Sequence, residues 1–301
     1  MRCDGGFVAI DLGWDGDEGW NLFTAGLARA GGGLDDLLGV VVTHAHPDHY
    51  GLAGRVREHT GAWIALHPAE LPQTARTEAQ RVERLTEIED WVRRMGVPAS
   101  RTDDLLSDRA QLMRDMPSQA PDRELRDGEA IPGTGGDLVA IHTPGHTPGH
   151  TVFHDRSRNV LFTGDHLLPR VSANISRRPT SREDPLGDYQ RSLARLEPHG
   201  GVLAAPGHEW SFDRFDERLA VVTVHHQERL EEVLAAVLGG CGTVWEVANV
   251  VSWSRPFATL NPRGARSALG ETLAHLVRLQ REGRIRQSDG VPLRWRSTTG
   301  V

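Results

Sequence analysis

"VVVTHAHPDHYGLAGRV", residues Val40 to Val56, puts His44, His46, Asp48 and His49 within six consecutive positions. Three valines precede the cluster, and β-branched residues in a row favour a strand. The run "YGLAGRVREHTG" that follows reads as a helix stopping at Gly61. A polar cluster between strand and helix has two readings. It is a turn in which Asp48 caps the helix, or it is part of a metal site. The pair His44-x-His46 alone does not choose between them.

The rest of the chain bears on the choice. "FVAIDLG" (Phe7 to Gly13) and "AWIALHP" read as further strands, and "GWNLFTAGLARAGGG" as a helix closed by glycines. This β-α-β-α-β order is that of an α/β layered domain. Beyond Glu129 come "DLVAIHT", "GHTVFHD" and "NVLFTGD", three strands separated by Gly, Pro and Asp turns, then a helix, "DYQRSLARLEPHGG", and a last strand, "VLAAPGH". His146 follows "LVAI", Asp165 follows "VLFTG" and His208 follows "VLAAPG". Asp165 as a turn cap and His208 as a strand-end histidine are the bland alternatives, and they would all have to hold together. A layered sheet gathers its strand ends along one edge, where loops converge. Imidazole and carboxylate are donors for borderline divalent metals. Seven such donors exceed one tetrahedral ion and suit two. His142 and His154 read as sheet or loop residues.

"THAHPDH", "TPGHT", "TGD" and "PGH", in that order, resemble the motifs of the metallo-β-lactamase fold superfamily. The resemblance covers roughly Phe7 to Trp210. It implies an α/β fold, a four-layered αββα sandwich. It also implies that His44, His46 and His146 hold one zinc, that Asp48, His49 and His208 hold the second, and that Asp165 bridges them. Iron or manganese would suit the same donors. His150, in the second "PGH", matches a position that in the family often lines the site or contacts substrate, and Asp11 in "AIDLG" matches a carboxylate supporting the ligand loop. The mechanism implied is attack by a hydroxide bridging two metals, with Asp48 orienting it and shuttling a proton. The family has one or two strands before "AIDLG". Only six residues precede Phe7, so the first sheet is expected to lack edge strands and a longer natural form is expected.

Residues 71–127 interrupt the α/β pattern. "EAQRVERLTEIEDWVRRMG" carries Val82, Leu85, Ile88 and Val92 near one helical face, and "RTDDLLSDRAQLMRDM" reads as a second helix. This helical insertion is a candidate lid. After residue 214 come a long helix, two shorter ones and a hairpin around Asp289-Gly290, the order of a winged-helix unit. The expected organisation is a catalytic domain over 1–214 and a small winged-helix-like C-terminal domain over 215–301. Trp253 and Phe257 are either an aromatic lip over the site or a core contact.

The 301 residues carry a net charge of −7, which gives no steering toward nucleic acid or anionic membranes. Arg278, Arg281, Arg284, Arg286, Arg294 and Arg296 therefore read first as a solvated face, with nucleic-acid binding as the rival. Two distant cysteines, Cys3 and Cys241, make no disulfide framework or CxxC site. With no signal peptide and no apolar run of membrane length, a cytoplasmic setting is expected. The expectation for function is a metallo-hydrolase of a small ester, thioester or lactone, closest to thioesterases and hydroxyacylglutathione hydrolases. The alternative is an RNA- or DNA-processing nuclease, or a regulator, using the winged helix.

Overall fold

The computed structural model describes residues 1–74, 76–114 and 119–298. Its contacts divide the chain into two compact units, one of Met1–Glu78, Asp115–Ala173 and Ser192–Leu219, the other of Ala79–Arg114, Asn174–Arg191 and Ala220–Val301. The division is interleaved, unlike a single cut at 214. The helical insertion is the main difference, because it packs with the C-terminal region. The Trp91 indole donates to the Arg177 carbonyl at 3.2 Å, and Arg266 holds Asp108 through two bonds of 2.7 and 2.8 Å.

The first unit is built on two sheets. The strands Gly6–Ile10, Leu37–Val41, Trp63–Leu66 and Arg123–Glu124 run parallel in that order. The second sheet orders Leu138–His142, Thr151–Asp155, Val160–Gly164 and Leu203–Pro206, with only its last pair parallel. Arg2–Cys3 adds a two-residue antiparallel strand to Gly6–Ile10. The residues before Phe7 thus supply the edge strand that the sequence was expected to lack, through a turn at Asp4 and Gly5.

Alternation along the strands explains the layers. Val8, Val41 and Ala65 cluster with Leu138, Ala140 and Phe153 of the other sheet. Their neighbours Phe7, Val40 and Ile64 turn the opposite way and pack with Leu27 and Val56, from the helices Asp17–Arg29 and Ala53–His59. A period of two divides each strand between an inter-sheet core and a helix-facing core. Each such fully buried aliphatic or aromatic side chain contributes about 1.5–3 kcal/mol. Thr151 N–H donates to the Thr43 carbonyl at 2.9 Å, tying the start of a second-sheet strand to the end of a first-sheet strand.

The second unit contains the helices Ala99–Leu105, Val244–Val250 and Pro262–Arg281 and the hairpin Ile285–Ser288 with Arg294–Ser297. The predicted helix over 101–116 is broken into Ala99–Leu105 and Arg109–Arg114, and its last two residues lie outside the described residues. In the helix Glu78–Arg94, Trp91 and Val92 are buried, whereas Val82 is 52% exposed and does not belong to the apolar face read from the sequence. Phe257 is buried against the Trp245 ring at 5.3 Å, a core contact within this unit. Among the described residues, no helix is long and apolar enough to cross a membrane.

Candidate metal centre

All seven predicted donors belong to the first unit and lie at or just beyond strand ends. Their donor atoms form two sets, His44, His46, His146 and Asp165 in one, Asp48, His49 and His208 in the other, with the atoms of each set within 4.8 Å of one another. In the first set, His46 Nδ1 lies 2.8 Å from His44 Nε2 and 3.0 Å from His146 Nε2. Asp165 Oδ2 lies 3.6 Å from His146 Nε2 and 4.0 Å from His44 Nε2. In the second set, His208 Nε2 stands 3.2 Å from Asp48 Oδ2 and 3.4 Å from His49 Nε2.

Asp165 faces both sets. Its Oδ2 turns to the first, while Oδ1 stands 3.3 Å from both His49 Nε2 and His208 Nε2. Oδ1 is buried, yet neither ring is aligned to donate a hydrogen bond to it. Donors around a tetrahedral ion with bonds of 2.0–2.1 Å stand roughly 3.3 Å apart. The spacings here, and an orphaned carboxylate oxygen between two imidazoles, fit a divalent cation in each set.

The surrounding bonds orient the rings. Asp11 Oδ1 accepts from Thr43 N–H at 2.7 Å, and Oδ2 accepts from Thr43 Oγ1 at 2.9 Å. With its proton committed to Asp11, Thr43 Oγ1 accepts from His44 Nδ1 at 3.0 Å. His49 Nδ1 donates to Asp11 Oδ2 at 2.7 Å. Each ring thereby turns its Nε2 toward the cluster, the orientation a metal ligand requires. Asp11 adopts φ 58°, a left-handed conformation rare for a non-glycine residue. These bonds, and the Asp11 N–H bond to the Val41 carbonyl, offset that strain.

Close approach also requires glycine. A Cβ on Gly207 would lie 2.5 Å from His49 Cε1 and 2.9 Å from Asp165 Oδ1. One on Gly164 would lie 2.8 Å from His150 Nε2. The glycines of "TGD" and "PGH" are the spaces into which the ligand loops pack.

The electrostatics of the cluster favour positive charge. Burial works to raise the Asp48 carboxyl, but the His208 bond and the nearby His49 and His46 rings bring it down to about 2. Burial likewise opposes ionisation of Asp165, and the His208 and His49 imidazoles hold it far below the carboxylate range. Asp165 and Asp48 raise His208 to about 10. Burial works to lower His49, and Asp11 and Asp165 overcome it, to about 11. His44, fully buried and beside three other rings, is pushed well below its ordinary value, first by burial.

His150 is fully buried, its Nδ1 lies 3.0 Å from Thr143 Oγ1, and its Nε2 accepts from the Asp165 N–H at 3.2 Å. Both ring nitrogens are used by the chain, and Nε2 supports the backbone of Asp165. Glu70 was not singled out from the sequence. Completely buried, it accepts from Ala45 N–H at 2.9 Å and from Gly149 N–H at 2.7 Å. It thereby joins the loop of His44 and His46 to the loop of His146. A glutamate in "HPAELPQ" carries no motif, and only its depth reveals the role.

A family model described as the Metallo-beta-lactamase superfamily matches residues 4–208. The chain belongs to this superfamily. It is similar to the solved metallo-beta-lactamase family protein TTHA1429 of Thermus thermophilus, with 30% identity and a TM-score of 0.80 over 99% of this chain and 92% of that one. A Beta-lactamase domain protein from Burkholderia ambifaria gives 26% identity and 0.80 over 99% and 87%. The probable metallo-hydrolase YqjP of Bacillus subtilis (strain 168) is 30% identical over 214 residues, 66% of this chain and 62% of YqjP. The lactamase-like protein adaB of Aspergillus niger is 28% identical over 145 residues, 47% of this chain and 42% of adaB. The chain thus spans less than two thirds of these curated relatives. Superfamily membership and the His/Asp cluster together support a metallo-hydrolase with a divalent metal site.

Proposed function

We propose that the protein hydrolyses a small ester, thioester or lactone with two divalent ions, zinc, iron or manganese all suiting the donor set. The observation that carries this reading is the division of seven donors into two sets, with one oxygen of Asp165 turned to each. His44, His46 and His146 would hold one ion, Asp48, His49 and His208 the other, with Asp165 between. Ions held there supply Lewis acidity and activate water for attack on a carbonyl.

The chain's own groups support the rest of the chemistry. Asp11 and Thr43 hold His49 and His44 in the orientation that presents Nε2. Asp48 is a carboxylate at neutral pH, able to accept the proton of the attacking water and return it to the leaving group. The His208 side chain is 42% exposed while His44 is fully buried, so substrate approaches from the His208 and Asp48 side. The thiolate of a thioester, or the alkoxide of a lactone, would leave there.

The nucleic-acid alternative has less support. Arg278 is paired with Asp184 and Glu282, Arg281 with Glu183, and Arg284 with Glu231. Half of the six arginines are thereby neutralised, which leaves less of the charge that phosphate backbones require. A hydrolysis panel of thioesters, lactones, β-lactams and phosphodiesters, run on the parent protein and Asp165→Ala, tests the proposal. Turnover of a thioester or lactone that Asp165→Ala abolishes is expected. Turnover confined to phosphodiesters would overturn it.

A further inference from the structure

The second unit contains a cleft of about 530 Å³, within the range of small-molecule sites. Its walls include Arg94 at the end of the helix Glu78–Arg94, Arg177 and Glu183, and Arg281 at the end of the helix Pro262–Arg281. Leu273, Val277 and Leu293 supply apolar surface. Charge in the cleft does not balance. Arg281 is neutralised by Glu183 at 2.6 Å. Among the described residues, no carboxylate pairs with Arg94 or Arg177. Arg177 Nε donates to the Glu183 carbonyl at 3.1 Å, which anchors the guanidinium while leaving its terminal nitrogens uncommitted. Burial, and then the charge of Arg94, lower the Arg177 pKa, so two like charges are held near one another on a chain that is acidic overall.

We propose that this cleft binds a small organic phosphate, at a site separate from the metal centre. Two guanidinium groups without an ion-pair partner, Arg177 feeling the Glu183 charge only at longer range, match a dianion, and arginine's planar fork suits the oxygens of phosphate. A phosphate monoester carries about −1.5 to −2 charge at pH 7. The apolar wall takes the organic part of the ester, and the amide of Gln287 on the hairpin offers a further donor.

Calorimetric titration of the full-length, metal-loaded protein with phenyl phosphate tests this, with inorganic phosphate and benzyl alcohol as partial probes. Phenyl phosphate is expected to bind more tightly than either. Arg177→Gln and the exposed Arg94→Gln should each weaken it about tenfold or more. Glu183→Gln should strengthen it by removing the competing carboxylate. His208→Ala should leave it unchanged, which separates this cleft from the metal centre and from the hydrolase reading. The proposal is overturned by unchanged phenyl phosphate binding in folded Arg94→Gln and Arg177→Gln, by loss of binding in His208→Ala, by equal affinity for inorganic phosphate, or by no binding to the parent protein.

Discussion

Asp11 Oδ2 lies 2.7 Å from His49 Nδ1 and also accepts from Thr43 Oγ1, the hydroxyl that orients His44. One carboxylate thus stands behind a donor of each metal set. Asp11→Asn is expected to lower metal affinity about 10–100-fold, the usual effect of removing such a partner. Competition with a chelator measures this, and an unchanged affinity would contradict the role.

Glu70 joins two ligand loops from within the core. Glu70→Ala leaves the Ala45 and Gly149 N–H groups without their acceptor, at a cost of about 2–6 kcal/mol for two buried donors. Urea unfolding should register the loss. Metal content should fall with it, because Ala45 lies between His44 and His46. Glu70→Gln keeps one acceptor and should cost less.

Gly207→Ala tests close packing directly. The added methyl would meet His49 Cε1 and Asp165 Oδ1, and the variant is expected to lose metal from the second set while remaining folded. Gly26→Ala serves as the control, since a Cβ in this helix meets nothing within 4 Å. It should stabilise the protein by about 0.5–1 kcal/mol with no effect on metal.

Glu271 predicts a pH dependence away from the metal centre. Burial pushes its carboxyl from 4.5 to about 7, against the pull of Arg229 and Asn174. As pH rises past 4.5 the unfolded chain releases this proton while the folded chain keeps it, so the contribution falls between 4.5 and 7 and is level above. Burial lowers the neighbouring His275 from 6.5 to about 4, which acts in the opposite sense across pH 4–6.5 and offsets much of the Glu271 effect in the parent. A comparison of Glu271→Gln with the parent isolates the carboxyl. The variant's relative stability should grow across pH 4.5–7 and then plateau, by on the order of 2 kcal/mol. A difference that does not vary with pH would contradict this.

The strands and the clustering of seven candidate donors were legible in the sequence because both depend on local pattern. "VVVTHAHPDH", "TPGHT", "TGD" and "PGH" each put a donor where a β-branched or apolar run meets a glycine or proline. Depth was not legible. His146 and His150 stand in identical, overlapping "TPGHT" repeats, yet one ring meets the cluster and the other is sealed beneath Asp165. Glu70 was missed for the same reason, since its partners Ala45 and Gly149 are 25 and 79 residues away. The interleaved division of the chain rests on contacts such as Arg266 with Asp108, 158 residues apart, which no periodicity encodes.

The most direct test of the two-ion site is a metal count by mass spectrometry on the parent protein, His208→Ala and Asp165→Ala. About two divalent ions per chain are expected in the parent, about one in His208→Ala, and the lowest content in Asp165→Ala, which faces both sets. A parent protein that hydrolyses its substrate with no bound metal, or an unchanged count in Asp165→Ala, would contradict it.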